Sequence, residues 1–188
     1  LYYLLGQVEA RLGHQAEAYR AFGHCLSCHP PYEMAFHARI MQTEVLSTPA
    51  TAQRMLKRLR KMAKDPNNKD YLDMVYFAIG NLQLACRDTV AAIESYEKGR
   101  SQSVQTGPEK AALLRRLGDL YCQLQRFDKA QPCYTEAIGL LDKTTPGYDQ
   151  LSQRSAVLDH LVPYTKVVFE QDSLLHLVSL PEADRNAV

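Results

Sequence analysis

The chain has 188 residues, of which 46% are hydrophobic and 23% are charged, and its formal net charge is +1. This composition is typical of an ordinary globular protein, and the mixture of positive and negative residues provides no electrostatic footprint for nucleic acid or an anionic membrane. No apolar run approaches the ~20 residues that a bilayer-spanning helix needs, and the sequence shows no signal peptide or lipidation motif.

From its first residues the chain shows a helical pattern. The opening Leu1-Tyr2-Tyr3-Leu4-Leu5 lacks an initiator Met, and we expect the chain to be a piece of a larger protein. Apolar residues recur at i, i+3, i+4 and i+7 almost throughout, whereas strand signals are nearly absent. Short breaks at Gly13, Asp88 and Asp128 interrupt the pattern. The sequence therefore predicts an all-α protein of successive helices.

Small and large residues recur at fixed spacings along the chain. Three glycines are each followed by an alanine after twelve residues and by an aromatic residue after sixteen, and a fourth set has Ile in place of Gly and Leu in place of the ring. The sets start 34, 40 and 38 residues apart, which predicts repeated helix hairpins. The four sets are Gly6, Ala18 and Phe22; Ile40, Ala52 and Leu56; Gly80, Ala92 and Tyr96; and Gly118, Ala130 and Tyr134.

These residue types suit two helices that cross closely. Gly and Ala permit the approach, and the large residue is expected to fill the groove against the next hairpin. The pattern resembles the tetratricopeptide repeat, most clearly in Leu117-Gly118-Asp119-Leu120-Tyr121 and in prolines such as Pro30 and Pro146 at the ends of units. The resemblance implies an all-α solenoid of about four helix hairpins over residues 1–147.

A short cysteine motif offers competing interpretations. Cys25-Leu26-Ser27-Cys28-His29 has the pattern that attaches c-type haem, and one CxxC alone could suggest zinc or redox chemistry. In the repeat register, however, Cys25 corresponds to Gly99 and Ala137, where a small buried residue is expected. We therefore predict that the motif fills space at a helix end and binds no metal or cofactor, and a haem protein remains the minor alternative.

The segment after residue 147 is predicted to close the solenoid. Residues 148–169 form an amphipathic pattern that should cover its open end, and Pro163 should kink or end this helix. A second helix is expected from Gln171 to the break at Leu180-Pro181, so residues 148–188 comprise a capping helix and the start of a following helical segment.

A candidate binding surface follows from the repeat register. In tetratricopeptide-repeat proteins the first helix of each hairpin lines the inner groove, and methionines with aromatics suit an adaptable peptide-binding surface. Several of these residues could equally be inter-helix core. A carboxylate clamp is disfavoured because the position three residues before each repeat glycine or its Ile40 counterpart holds one Arg and no Lys; its residues are Tyr3, His37, Phe77 and Arg115. The candidate groove residues are Tyr3, Gln7, Met34, His37, Met41, Met74, Phe77, Asn81, Arg115 and Asp119.

Catalytic motifs are missing from the sequence. There is no Gly-rich phosphate loop, GxSxG or HExxH, and Asp, Glu and His are scattered. The sequence therefore predicts a binding module and not an enzyme. A basic cluster at residues 57–64 has Leu59 and Met62 at helical spacing, which indicates a solvated helix face.

Three longer stretches resemble the PorW/SprE family of Bacteroidetes: residues 31–40, residues 69–81, and residues 171–186 with their QDSL and LPEADRN segments. This resemblance implies a non-catalytic scaffold of the type IX secretion system and of gliding motility. It further implies an outer-membrane lipoprotein that faces the periplasm, has protein partners among the secretion components and touches the membrane only through a lipid anchor outside this chain. A generic peptide-binding repeat module of another pathway remains the alternative.

Overall fold

The computed structural model of the chain describes residues 1–45, 49–104 and 106–179, and the backbone of these residues forms helices and connections without a strand. The predicted all-α class is therefore confirmed. Within the described ranges the helices are α1 (Tyr2–Arg11), α2 (Gln15–Ser27), α3 (Tyr32–Val45), α4 (Pro49–Ala63), α5 (Leu72–Ala85), α6 (Thr89–Gln102), α7 (Pro108–Gln123), α8 (Phe127–Gly139) and α9 (Tyr148–Ser179), with a 3₁₀ helix at Pro66–Tyr71.

The chain divides into two compact units, Leu1–Leu113 and Leu114–Val188, and the division falls inside α7. We refer to them as unit 1 and unit 2. The sequence predicted a different kind of boundary, between a repeat region at 1–147 and a cap at 148–188. The two compact units do not test that boundary, and it stays a prediction. Within unit 1, helices adjacent in sequence pack together, as α1 does with α2 and α5 with α6. Within unit 2, α8 packs against α9.

The repeat glycines create the close helix crossings. An added Cβ at Gly6 would lie 2.7 Å from Cε1 of Phe22, and one at Gly118 would lie 2.6 Å from Cε1 of Tyr134. Gly80 faces the ring of Tyr96 in the same way. Each aromatic ring thus covers the glycine of its own hairpin. Phe22 also packs in a cluster with Ala38 and Val45 of α3, which agrees with the expectation that the ring fills the groove against the following hairpin. The close approach leaves no room for a side chain between the ring and the helix.

The second hairpin solves the same packing problem with different volumes. Ile40 stands where the other repeats have Gly, and Leu56 stands where they have a ring. Both are buried, at 3% and 6% exposure, in a cluster with Phe36 and Ala52. Because the side chain from the second helix is smaller, the side chain from the first helix can be larger, and the core stays filled.

The breaks between helices use specific local chemistry. Gly13 follows α1 with φ +82°, a conformation that glycine adopts without a steric penalty. The Asp88 carboxylate caps α6 by accepting a hydrogen bond from the Ala91 N–H at 3.1 Å. The break predicted at Asp128 lies slightly earlier, because Asp128 is already in the first turn of α8.

The insertion after α4 is an ordered connection. The Asp65 side chain caps the 3₁₀ helix by accepting a hydrogen bond from the Asn67 N–H at 3.0 Å. Asn68 is buried, and its Nδ2 donates to the Met62 carbonyl oxygen at 2.8 Å, while its Oδ1 accepts from the Tyr32 hydroxyl. These bonds satisfy the buried amide and tie the connection to both α3 and α4.

The C-terminal helix differs from the sequence-based prediction. α9 is continuous over 32 residues, so Pro163 does not end it and no new helix begins at Gln171. Pro163 is exposed, and the hydroxyl of Thr165 donates to the carbonyl oxygens of Leu161 and Val162 near the proline. Pro163 has no N–H for the carbonyl oxygen of Asp159, and because this turn of α9 is exposed, water satisfies that oxygen. The predicted break at Leu180-Pro181 lies outside the described residues.

Among the described helices, none combines the length and apolar character required to cross a bilayer.

Candidate functional site

In two hairpins, the residue after the repeat glycine is held by the tyrosine hydroxyl of the same hairpin. In unit 1 the Tyr96 hydroxyl donates to Asn81 Oδ1 at 2.7 Å. In unit 2 the Tyr134 hydroxyl donates to Asp119 Oδ1, also at 2.7 Å. Phe22 has no hydroxyl, so Gln7 in the first hairpin lacks this support. The ring therefore both packs the crossing and fixes a polar side chain beside it.

In unit 1, the predicted groove residues of the first helices are neither fully buried nor fully exposed. Met34 is 43% exposed, and the other seven have intermediate exposure. Tyr3 and Met41 pack against the core cluster around Phe22. We call this set the first-helix face; its members are Tyr3, Gln7, Met34, His37, Met41, Met74, Phe77 and Asn81. Its side chains serve the core on one side and are accessible on the other, so the two interpretations of them are compatible.

Two adjacent cavities open beside part of the first-helix face. One of about 420 Å³ is lined by Tyr3, Pro31, Glu33, Met34 and His37. The other, of about 150 Å³, is lined by Glu33, His37, Asp70, Tyr71, Asp73, Met74, Gly107 and Glu109. Glu33 and His37 line both cavities, so the two are neighbours. The structure thus brings Tyr3, Met34, His37 and Met74 together, while Gln7, Met41, Phe77 and Asn81 line neither cavity.

Glu44 is a polar residue that the sequence analysis missed. Asn81 Nδ2 donates to Glu44 Oε1 at 3.5 Å, which links Tyr96, Asn81 and Glu44 in a hydrogen-bonded chain. Burial raises the pKa of the Glu44 carboxyl, and the hydrogen bond from Asn81 opposes the shift. Glu44 lies three residues after Met41, so extending the helical spacing by one turn would have found it.

Asp73 is a second acidic residue that the sequence analysis did not select. It is 4% exposed, and its Oδ1 accepts from the Met74 N–H at 2.8 Å while its Oδ2 accepts from the Ser103 hydroxyl at 3.2 Å. Burial raises the pKa of Asp73, the two hydrogen bonds lower it, and nearby Glu109 raises it further. Asp73 lies one helical turn before Phe77 in α5, and that spacing would have identified it.

In unit 2, Arg115 and Asp119 have different surroundings. Arg115 is exposed, whereas Asp119 accepts hydrogen bonds from Tyr134 and from Arg154 Nη1, the latter at 3.0 Å. Burial, followed by the hydrogen bond to Asp119, raises the pKa of the Tyr134 hydroxyl. Asp119, Tyr134 and Arg154 line a cavity of about 790 Å³ between α7, α8 and α9, to which Arg115 does not contribute.

The CxxCH motif separates into a buried and an exposed half. Cys25 is 5% exposed and packs with Phe22 and Ala38, whereas Cys28 is exposed at the end of α2. The buried environment predicted for Cys25 is confirmed, and its counterparts Gly99 and Ala137 are also buried. Two thioether bonds to one haem require both thiols at a common surface. The residues present therefore do not fit a c-type haem.

The basic cluster on α4 has the predicted solvated arrangement. Leu59 is fully buried, and the charged residues around it are exposed. Those charged residues are Lys57, Arg58, Arg60, Lys61 and Lys64.

Comparison with known proteins identifies the fold. A tetratricopeptide-repeat sequence family matches residues 112–140, which span most of α7 and all of α8. The crystal structure of MamA protein, a tetratricopeptide-repeat protein, superposes with a TM-score of 0.51 and 18% identity, covering 96% of this chain and 94% of the MamA chain. A search of curated proteins by sequence finds no significant match. The chain therefore has the tetratricopeptide-repeat fold, and it carries a recognisable repeat at residues 112–140.

Proposed function

We propose that this chain is a non-catalytic protein–protein interaction scaffold and that the first-helix face of unit 1 docks a segment of its partner. The observation that carries this proposal is the pair of neighbouring cavities beside Tyr3, Met34, His37 and Met74. Met34 supplies a flexible apolar side chain that is 43% exposed, and Tyr3 supplies an aromatic wall. Surfaces of this composition bind helices or extended peptides by adapting to their side chains. Proteins with this fold generally act as scaffolds, which supports the non-catalytic assignment.

A more specific proposal concerns the pathway. We propose that the partners are components of the type IX secretion and gliding machinery and that the chain belongs to an outer-membrane lipoprotein at the periplasmic face. The sequence resemblance to the PorW/SprE family supports this assignment. Two of the resembling stretches, residues 31–40 and 69–81, contain five of the eight residues of the first-helix face. A peptide-binding repeat module of another pathway is the alternative, and the identity of the partner would distinguish the two.

Quantitative co-purification tests the docking face. Tagged wild-type chain and a Met34→Ala, His37→Ala variant are incubated with solubilised cell envelope, and captured proteins are quantified by mass spectrometry. We expect the variant to lose the captured partner at least tenfold. Val90→Ala is the matched control, because Val90 is 72% exposed on α6 and lines neither cavity. Unchanged capture by the variant, with helical content retained in circular dichroism, would contradict the docking proposal.

The same experiment tests the pathway. Enrichment of type IX secretion components is expected with wild-type chain and with Val90→Ala. If the captured protein belongs to another system, the first-helix face stands as a docking site but the secretion assignment is wrong. Fractionation of cells that produce the full-length protein checks the location separately, and the proposal requires it in the outer-membrane fraction.

A further inference from the structure

The two cavities of unit 1 have an unusual charge. The smaller one is lined by four carboxylates, Glu33, Asp70, Asp73 and Glu109, and Glu33 also lines the larger one. Among the described residues, no Lys or Arg lines either cavity, and His37 is the one basic side chain in them. The whole chain has a net charge of +1, so this face is far more negative than the average surface.

Among the described residues, none of these four carboxylates has an ion-pair partner. Glu33, Asp70 and Glu109 are exposed and form no ion pair with any residue in the described ranges, while Asp73 is held by the Met74 N–H and the Ser103 hydroxyl. Across the described residues, no three acidic, His or Cys side chains are arranged to hold a metal ion. The negative charge of the four carboxylates is thus distributed along the cavities. This distribution suits an extended cationic ligand better than a single metal ion.

The walls of the cavities restrict the ligand further. Tyr3, Pro31 and Met34 form apolar and aromatic surface in the larger cavity, and Tyr71 and Met74 do so in the smaller one. Lys and Arg side chains combine a long aliphatic stem with a cationic end, so they can pack on such walls while the end reaches a carboxylate. A cation can also bind over the face of an aromatic ring such as that of Tyr71.

Positive charge in unit 1 is concentrated elsewhere. α4 contains six Lys and Arg counting Lys64 at its end, and no acidic residue. The apolar side of α4 is already used in the core, with Met55, Leu56 and Leu59 buried. The basic residues of α4 and the acidic residues of the cavities therefore lie on different parts of unit 1. A partner that binds at the cavities meets carboxylates and no Lys or Arg.

We infer that the segment docked on the first-helix face of unit 1 is basic and amphipathic, with Lys or Arg side chains entering the cavities lined by Glu33, Asp70, Asp73 and Glu109 and apolar side chains resting on Tyr3 and Met34. This inference rests on the proposed docking function, and it names the chemical class of the partner.

Paired peptides test the inference with the full chain. Two fluorescein-labelled amphipathic peptides share length and apolar residues and differ only in having Lys and Arg or Glu at every polar position. Fluorescence anisotropy measures their binding at low and high salt. We expect the basic peptide to bind at least tenfold more tightly at low salt, and the difference to shrink at high salt because exposed charge pairs are screened.

Variants locate the binding and separate the two proposals. The triple variant Glu33→Gln, Asp70→Asn, Glu109→Gln should bind the basic peptide about tenfold more weakly and should melt at the same or a higher temperature, since it removes like-charge repulsion. Its matched control neutralises the exposed residues Glu94, Asp142 and Asp172 and should bind as wild type. Met34→Ala should weaken binding of the basic peptide without altering its salt dependence.

The outcomes are distinguishable. Equal binding of both peptides, tighter binding of the acidic one, no binding of either, or wild-type binding by the triple variant would each overturn the basic-partner inference. The docking proposal would survive all four results if Met34→Ala, His37→Ala still lost its envelope partner. If that variant keeps the partner, the docking proposal fails independently of the peptide data.

Discussion

The aromatic residues of the repeats act on two neighbours at once. Tyr96 and Tyr134 each cover a glycine and donate a hydrogen bond to the residue after it, Asn81 or Asp119. The first function is steric and the second is polar, yet both depend on the same position of the ring. This dual use explains why a glycine, with its cost of ~1 kcal/mol inside a helix, is placed at these crossings.

Replacing a repeat glycine by alanine should destabilise the protein. In Gly80→Ala the new methyl group meets the fully buried ring of Tyr96, which Asn81 holds in place. Overpacking of this kind costs about 1–3 kcal/mol despite the better helix propensity of alanine. Gly139→Ala is the matched control, because nothing lies within 4 Å of its added Cβ. Urea unfolding should show a lower free energy of unfolding for Gly80→Ala than for wild type and no decrease for Gly139→Ala. A Gly80→Ala variant as stable as wild type would contradict the packing role of Gly80.

Glu44 should make stability decrease as pH rises. Burial raises its pKa in the folded protein, so between the unfolded and folded pKa values the folded state binds more protons than the unfolded chain. Stability is therefore highest below this range and falls as pH rises through it. Glu44→Gln keeps an oxygen for the Asn81 amide and removes the titration, so its stability relative to wild type should increase as pH rises above the ordinary Glu pKa of about 4.3.

The pH effect is measured by urea unfolding of wild type and variant across that range. The control is Glu94→Gln, because Glu94 is exposed; its free energy of unfolding should change with pH as that of wild type does. If the free energy of unfolding of Glu44→Gln has the same pH dependence as that of wild type, burial of the Glu44 carboxyl does not affect stability in the way proposed.

At the scale of helices, the sequence predicted what periodicity and local packing determine. The all-α class, the four hairpins and the buried place of Cys25 follow from spacing along one helix, and they are confirmed. The continuity of α9 through Pro163 was missed, because it depends on the exposure of that turn, which local sequence does not show. The acidic cavity residues were also missed, since Asp70 and Glu109 come together only when separate helices pack. Whether the first-helix face binds a partner stays a prediction.

α9 should contribute to stability mainly through its first half. Leu151 and Leu158 are buried at 3% and 5% exposure, and Gln131 of α8 donates to Asp159 at 2.6 Å, whereas Leu174 is 58% exposed. Leu158→Ala should lower the free energy of unfolding by about 2–4 kcal/mol, and Leu174→Ala should change it by less than about 0.5 kcal/mol. Chemical denaturation measures the free energy of unfolding of both variants, which carry the same Leu→Ala change. A similar loss in both would mean that the second half of α9 is packed against something in solution.

At the scale of the whole chain, helix contacts are local in sequence. The packed pairs include α1 with α2, α2 with α3, and α4 with α5 in unit 1, and α8 with α9 in unit 2. In repeat proteins of this kind, stability is approximately a sum over units and their nearest neighbours. A destabilising substitution should therefore weaken its own hairpin and the neighbouring helices. In a protein with a single cooperative core, it would weaken the whole chain.

Hydrogen exchange should reveal this locality. In Gly6→Ala the methyl group meets the Phe22 ring, so amides of α1 to α3 should exchange faster while those of α8 and α9 keep wild-type protection. Gly118→Ala places its methyl group against Tyr134 and should show the reverse pattern, because opening of one hairpin exposes few contacts of distant ones. Mass spectrometry of peptic fragments measures both patterns. Uniform acceleration in every helix by either variant would mean that the chain unfolds as one cooperative block, and the nearest-neighbour account of its stability would be wrong.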